Sequence, residues 1–164
     1  MMADWVIRLC READYARMRE LTVQSFDGVS VEQRIDRHWP DAAPMGWEER
    51  KWLEVAGDVA GHPDGCFVAQ IGGEVVGYVT TGVNPRRQQG RIANLAVDSR
   101  WRGKGLGRAL IQAALEHFRQ HGLRVARIET LVDNAVGLHL YPKMGFHEIA
   151  RQVYYAMSLD AEGR

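Results

Sequence analysis

Residues 91–98, RIANLAVD, are apolar on both alternating faces between Arg91 and Asp98 except at Asn94. A strand of that kind needs protein on both sides, so it belongs at the centre of a sheet held between two layers. WRGKGLGRAL (101–110) follows at once, with glycine at alternate positions among basic residues. Leu106, Leu110, Ala113, Ala114, His117 and Phe118 then recur at helical spacing as far as Gly122. A glycine turn opening into a helix aims several unpaired backbone N–H groups at one point, where the helix dipole also favours negative charge. A phosphate-bearing ligand is the first expectation.

The rest of the chain supplies the layers. WVIRLC (5–10) reads as a short strand, and READYARMRELTVQSF (11–26) then places Tyr15, Met18, Leu21 and Phe26 on one helical stripe. From Ser30 to about Gly61 the pattern is mainly helical, interrupted by Pro40 and Pro44. CFVAQIGGEVVGYVTTGV (66–83) is two β-rich runs joined by Gly72-Gly73, both able to take the positive φ of a tight hairpin. With 91–98 these runs form a meander, linked by the loop NPRRQQG (84–90). Downstream, VARIETLVD (125–133) reads as a strand, NAVGLHLYPK (134–143) as a short helix, and FHEI and VYYAMSLD as two final strands. Pro142 is expected to stop the short helix near Tyr141.

At 164 residues and 46% hydrophobic, the chain suits one domain. Lys plus Arg and Asp plus Glu number 21 each, so the basic cluster at 100–108 is local, and neither nucleic acid nor membrane is expected as a partner. Cys10 and Cys66 lie in apolar runs and read as core thiols, with a single bridge left open. The first ten residues, with Asp4 and Arg8 around a three-residue apolar run, lack a signal-peptide core. No stretch approaches the roughly 20 apolar residues of a membrane helix. The expected location is the cytoplasm.

Two familiar phosphate loops do not fit. A dinucleotide fingerprint G-x-G-x-x-G would use Gly103 and Gly105 but needs glycine where Arg108 stands, although Glu129 lies where such folds place a ribose-binding acid. The P-loop pattern is absent as well. Arg102-x-x-Gly105-x-Gly107 instead resembles the acyl-CoA signature R/Q-x-x-G-x-G/A of the GNAT N-acetyltransferase superfamily. NAVGLHLYPKMGF resembles the later family motif N-x-x-A-x-x-L-Y-x-K-x-G-F at Asn134, Leu140, Tyr141, Lys143, Gly145 and Phe146. It departs from that motif at Gly137, where the family usually has alanine.

The resemblance implies an α/β (α+β) GNAT fold over a single domain, 1–164, with a short flexible tail after about 160. Its central mixed sheet is mostly antiparallel, with about six to seven strands, a V-shaped splay between the fourth and fifth, and about four flanking helices. The implied activity is transfer of an acetyl group from acetyl-CoA, as co-substrate, to a primary amine of a small molecule or peptide by direct attack on the thioester. Transfer of another acyl group, or a non-catalytic acyl-CoA sensor on the same fold, are the alternatives.

By the same resemblance the CoA pyrophosphate lies over the amides of Arg102, Gly103, Lys104, Gly105, Leu106, Gly107 and Arg108, with Asn134 contacting CoA or capping its helix. The pantetheine arm pairs with the strand edge at Leu95, Ala96 and Val97, where an N–H polarises the thioester carbonyl. Tyr141 matches the tyrosine beside the CoA sulfur and is the candidate acid. Glu129, five residues before Asn134 and twelve before Tyr141, has the spacing of the base in ribosomal-protein N-terminal alanine acetyltransferases; a surface Glu and a water chain are the other readings. His38, Trp39, Trp47, Glu48, Glu49, Trp52, Arg86 and Arg87 lie where the family builds its acceptor pocket, although tryptophans there are more often core than substrate wall. His117 and His121 are four apart on a helix but have no third ligand nearby in sequence, so no metal is expected. The acceptor is unspecified, and a homodimer is left open.

Overall fold

The computed structural model describes residues 4–160, so the tail expected after about 160 lies outside the described residues. Strand β1 (Val6–Leu9) leads into α1 (Tyr15–Phe26), α2 (Val31–His38) and α3 (Trp47–Gly61). Three strands follow, β2 (Phe67–Ile71), β3 (Glu74–Asn84) and β4 (Gln89–Val97), then α4 (Leu106–Gln120), β5 (Val125–Ile128) and α5 (Ala135–Lys143). The sheet order is β1-β2-β3-β4-β5, antiparallel except for the parallel β4–β5 pair. Gly72 (φ 56°) and Gly73 (φ 88°) make the β2–β3 turn as the sequence implies.

Each sheet face buries its own core. Met18 and Leu21 of α1 and Val55 and Val59 of α3 pack on Val68, Val75, Tyr78 and Ala96. On the other face Leu106, Leu110, Ile111, Ala114 and Phe118 of α4 cover Ala69, Val76, Val79 and Ile92. β3 and β4 are covered on both sides, which explains their near-continuous apolar character. Cys10 and Cys66 are free thiols on the first of these cores, and burial pushes both up to about 11.

Three expectations need correction. Among the described residues the sheet has five strands rather than six to seven: residues 147–159 join no strand pair there, and Ile149, Val153, Tyr155 and Met157 are exposed. β5 ends at Ile128, because Glu129–Asp133 turns toward α5 through an Asn134 N–H bond to Leu131 C=O, and so offers only a short template to later strands. Among the described residues five α-helices flank the sheet rather than four, since the proline-broken stretch from Ser30 to Gly61 forms two separate helices. Pro142 lies inside α5 rather than ending it. Near the end of a short helix its missing N–H costs one bond, and Met144 N–H still closes the last turn onto Leu140 and Tyr141 carbonyls.

A bulge sets the geometry at the sheet's centre. Thr80 pairs with Asn94 and Thr81 with Ile92, leaving Ala93 as an extra residue in β4. The β4–β5 ladder runs from Gln89↔Val125 to Ile92↔Ile128 and stops there. Beyond the bulge the two strands splay apart. Asn94, buried, holds the turning point: its amide donates to Asp58 (2.7 Å) and Thr80 Oγ1 (2.8 Å), and its carbonyl accepts from Lys51 Nζ (2.9 Å).

The ends of α3 and α4 meet through His62 and His117, whose Nε2 atoms stand 2.7 Å apart, with the His121 ring stacked 4.2 Å from that of His117. Desolvation first, and then repulsion from His121 on both and from His62 on His117, hold His62 and His117 below the usual imidazole range, against a weaker opposite pull from Asp64. The unfolded chain therefore takes up protons first. Stability from this pair is complete above about pH 6.5 and declines as pH falls below it. The urea midpoint should be lower at pH 5.5 than at 7.5, and His62→Gln should narrow that difference; equal midpoints in the native chain would contradict the assignment.

Candidate active site

The splay opens a cleft of about 380 Å³. β4 contributes Arg91–Leu95, the chain after β5 contributes Glu129–Leu131, and Asn134 and Tyr141 close one end. The opposite wall comes from the α1–α2 junction and α3, including Ser25, Ser30, Lys51 and Glu54. Tyr154, on the unpaired C-terminal segment, also reaches it.

At one end of β4 the chain turns on Asp98 into the glycine segment. The Asp98 carboxylate, 1% exposed, accepts from Arg17 Nη2 (2.5 Å), from the Arg100 amide (2.9 Å) and from the Arg100 guanidinium (2.7 Å). The adjacent Arg100 and Arg17 guanidiniums hold it down to about 2. Gly103 (φ 73°) and Gly105 (φ 93°) take left-handed conformations that a side chain would strain, and a Cβ at Gly103 would meet open space. Gly105 gives α4 no side-chain cap, so the first amides of this helix lack intramolecular partners. Arg102 Nε donates to Val97 C=O (3.1 Å), and Lys104 Nζ lies 4.4 Å over the Trp101 ring. Neither side chain makes an ion pair among the described residues. The arrangement can bind an extended anion at the helix and a peptide-like arm along the free edge of β4.

Of the strand residues, Leu95 lines the cleft, Ala96 is buried in the α1–α3 core, and Val97 packs toward α4. Tyr141 is half-buried beside Phe146, and burial alone pushes its phenol up to about 12, so it is a neutral proton carrier at pH 7. Asn134 caps α5: Oδ1 accepts from the Gly137 amide (3.3 Å) and Nδ2 donates to Thr130 Oγ1 (2.9 Å). Glu129 shares the cleft with Tyr141, but both its oxygens are engaged, by Arg91 Nε (2.9 Å) and Arg127 Nη2 (3.3 Å).

The acceptor-side expectations divide. Trp52 packs edge-on against Tyr15, Trp47 is buried at the start of α3, and His38 bonds Arg34 C=O; none of them lines the cleft. Trp39, Glu48, Glu49 and Arg86 also lie off it. Arg87 belongs instead to a second, smaller cleft near the β3–β4 turn. Lys51, Glu54, Arg91, Ser25 and Ser30 are cleft residues that the sequence reading passed over. Lys51 carried a usable signal, because it sits on the buried stripe Trp47, Lys51, Val55, Val59 of α3. Among the described residues no group of three His, Cys, Asp or Glu side chains is arranged to hold a metal ion, and no helix is long and apolar enough to cross a membrane.

The acetyltransferase (GNAT) family model matches residues 15–146, covering both motifs and the splay between β4 and β5. The chain belongs to the GNAT family. It is 33% identical over 150 residues to the L-amino acid N-acetyltransferase of Escherichia coli, an alignment covering 88% of this chain and 84% of that protein. An uncharacterized N-acetyltransferase of Methanocaldococcus jannaschii is 33% identical over 103 residues, where the match spans 60% of this chain and less than half, 43%, of the relative. The ribosomal-protein-S18-alanine N-acetyltransferase of Escherichia coli shares the fold, with TM-score 0.67 and 20% identity over 98% of this chain and 88% of that one.

The GNAT frame makes Gly137 informative. A Cβ there would stand 2.9 Å from Thr130 Oγ1 and 3.0 Å from the Tyr141 ring. Thr130 therefore occupies the space that the family's usual alanine would take. Gly137→Ala should displace Tyr141 or break the Thr130–Asn134 bond, costing about 1–3 kcal/mol of stability. Adding Thr130→Ala should recover part of that loss in urea unfolding; a fully stable Gly137→Ala single variant would contradict the packing described.

Proposed function

We propose that this chain is an N-acetyltransferase that moves the acetyl group of acetyl-CoA to a primary amine by direct attack on the thioester. The observation that carries this reading is the free β4 edge beyond Ala93, opening onto Tyr141 at one end and reaching the uncapped start of α4 at the other. The names of two similar proteins support it, one an L-amino acid N-acetyltransferase and the other a ribosomal-protein-S18-alanine N-acetyltransferase.

In this reading the amides of Arg102, Gly103, Lys104, Gly105, Leu106, Gly107 and Arg108 hold the pyrophosphate, and the open space at Gly103 lets the main chain come close. The β4 edge at Leu95–Val97 binds the pantetheine arm, and an amide at Leu95 or Ala96 donates to the thioester oxygen as charge develops on it. Asn134, already occupied as a cap, serves by fixing the start of α5 and so the position of Tyr141. The Tyr141 phenol, kept neutral by burial, donates its proton to the departing thiolate. The amine must lose a proton to attack, and Glu129 is the cleft carboxylate assigned to receive it. The carboxylate would give up part of its bonding to Arg91 and Arg127 in doing so.

Acetyl-CoA should raise the melting temperature and release free CoA faster when amines are added; the absence of any stabilisation would contradict the proposal. Tyr141→Phe should lower kcat by about 10²-fold or more with acetyl-CoA affinity nearly intact. Glu129→Gln should lose activity mainly below the acceptor's pKa. A flat pH response of that variant would assign the proton to water instead.

A further inference from the structure

We propose that the acceptor is a peptide N-terminus carrying an acidic side chain at its second or third residue, held by Arg87, Arg91 and Arg127. This rests on the acetyl-transfer reading above and adds the chemistry of the group that enters opposite the donor.

Arg91 and Arg127 are direct partners in the parallel ladder, so their side chains emerge from neighbouring strands on one face, about 4.8 Å apart at the backbone. Two like charges at that spacing repel, and only Glu129 lies between them: it takes Arg91 Nε on one oxygen and Arg127 Nη2 on the other. Asp58 and Glu54 also lie within electrostatic reach of Arg91, whereas Arg127 shares only the Glu129 carboxylate. Arg87, exposed on the β3–β4 turn, adds a third guanidinium to the same cleft of about 260 Å³ and makes no ion pair among the described residues. Gly82 opposes Arg91 in the β3–β4 ladder, and a Cβ there would meet open space, so backbone floors this cleft and leaves room above it. A guanidinium fork matches a carboxylate in shape and charge.

The arginine cleft adjoins the reacting cleft at Arg91, which lines both. Arg91 precedes Leu95 by four residues, roughly 13 Å of strand. An extended peptide covers about 3.3–3.6 Å per residue, so with its amine at Leu95 and Tyr141 its second and third residues stand about 3–7 Å along this path, and the long guanidinium and carboxylate side chains span the rest. A free amino acid cannot, since its carboxylate lies only two bonds from the amine. The opposite wall favours a peptide as well. The Ser25 and Ser30 hydroxyls are buried with no hydrogen-bond partner, Ser30 is 3% exposed, and both line the cleft. Buried hydroxyls without partners call for a ligand rich in N–H and C=O groups.

The test uses labelled hexapeptides that differ only at residues two and three, acidic, neutral or basic, with binding read by fluorescence anisotropy in saturating CoA. The acidic peptide should bind about tenfold more tightly than the neutral one at low salt, and the preference should shrink at 0.5 M salt as approximate screening requires. Arg87→Gln lies on an exposed turn outside any ion pair and tests the site without endangering the fold. It should weaken the acidic peptide severalfold and leave the neutral one unchanged, and Arg91→Gln with Arg127→Gln should abolish the preference. Equal binding of acidic and neutral peptides, or equal weakening of both by Arg87→Gln, would overturn the proposal. Turnover separates this from the reading beneath it. Acetylation of free glutamate in preference to the acidic peptide would overturn the acidic-peptide assignment alone, whereas failure of every acceptor to release CoA would overturn the transfer reading and leave the binding comparison to judge the arginine site.

Discussion

Asn94 and the bulge beside it govern the rest of the molecule. One extra residue in β4 turns the strand away from β5 after Ile92, and without that parting the parallel ladder would close over the edge that the proposed donor needs. A bulge in a buried central strand leaves backbone and side-chain polar groups to be satisfied. Here Asn94, Thr80, Asp58 and Lys51 do so in one connected set, with Lys51 also held by Glu54 and stacked 4.4 Å from the Phe26 ring. The four members come from three elements, Lys51 and Asp58 from α3, Thr80 from β3 and Asn94 from β4, so these elements are fixed to one another where the cleft begins. Such a network stabilises only when complete, since a single missing partner strands a buried charge or amide.

From that point the cleft is built outward by devices that each act locally. Asp98 ties the end of β4 to α1 through Arg17 and to its own turn through Arg100, which sets where the glycine segment leaves the sheet. Asn134 caps α5 and reaches Thr130, and Gly137 leaves room for Thr130 and the Tyr141 ring together. Glu129 spans Arg91 and Arg127 and keeps the two guanidiniums side by side. Position in the cleft thus comes from ion pairs and caps at its rim, while its floor is backbone.

Much of this was legible from residue patterns. The doubly apolar strand, the diglycine hairpin and the amphipathic helix after the glycine turn all follow from short-range rules, and the structure places them within a residue or two of the sequence reading. Asn94 stood out as the one polar residue between Arg91 and Asp98, but its partners Lys51 and Asp58 lie on α3, and no periodicity links a helix residue to a strand residue about 40 positions away. For the same reason the cleft wall made by Ser25, Ser30 and Arg91 was not readable, and Trp47 and Trp52, conspicuous in sequence, pack at α3 and against α1 as core residues do. The C-terminal strands failed for a different reason. FHEI and VYYAMSLD have strand composition, but a strand also needs an edge to pair with, and β5 ends at Ile128. Composition carries no information about how long that edge is.

The central claim is that the parted β4 edge and the start of α4 form one continuous site for a CoA thioester. Backbone amide NMR of the full chain titrated with acetyl-CoA tests it most directly. The account predicts shifts concentrated at Ala93–Val97 and Gly103–Arg108, with the Arg91–Arg127 region little changed until an acceptor is added. Shifts confined to other surfaces, or to the glycine segment with none along β4, would contradict it.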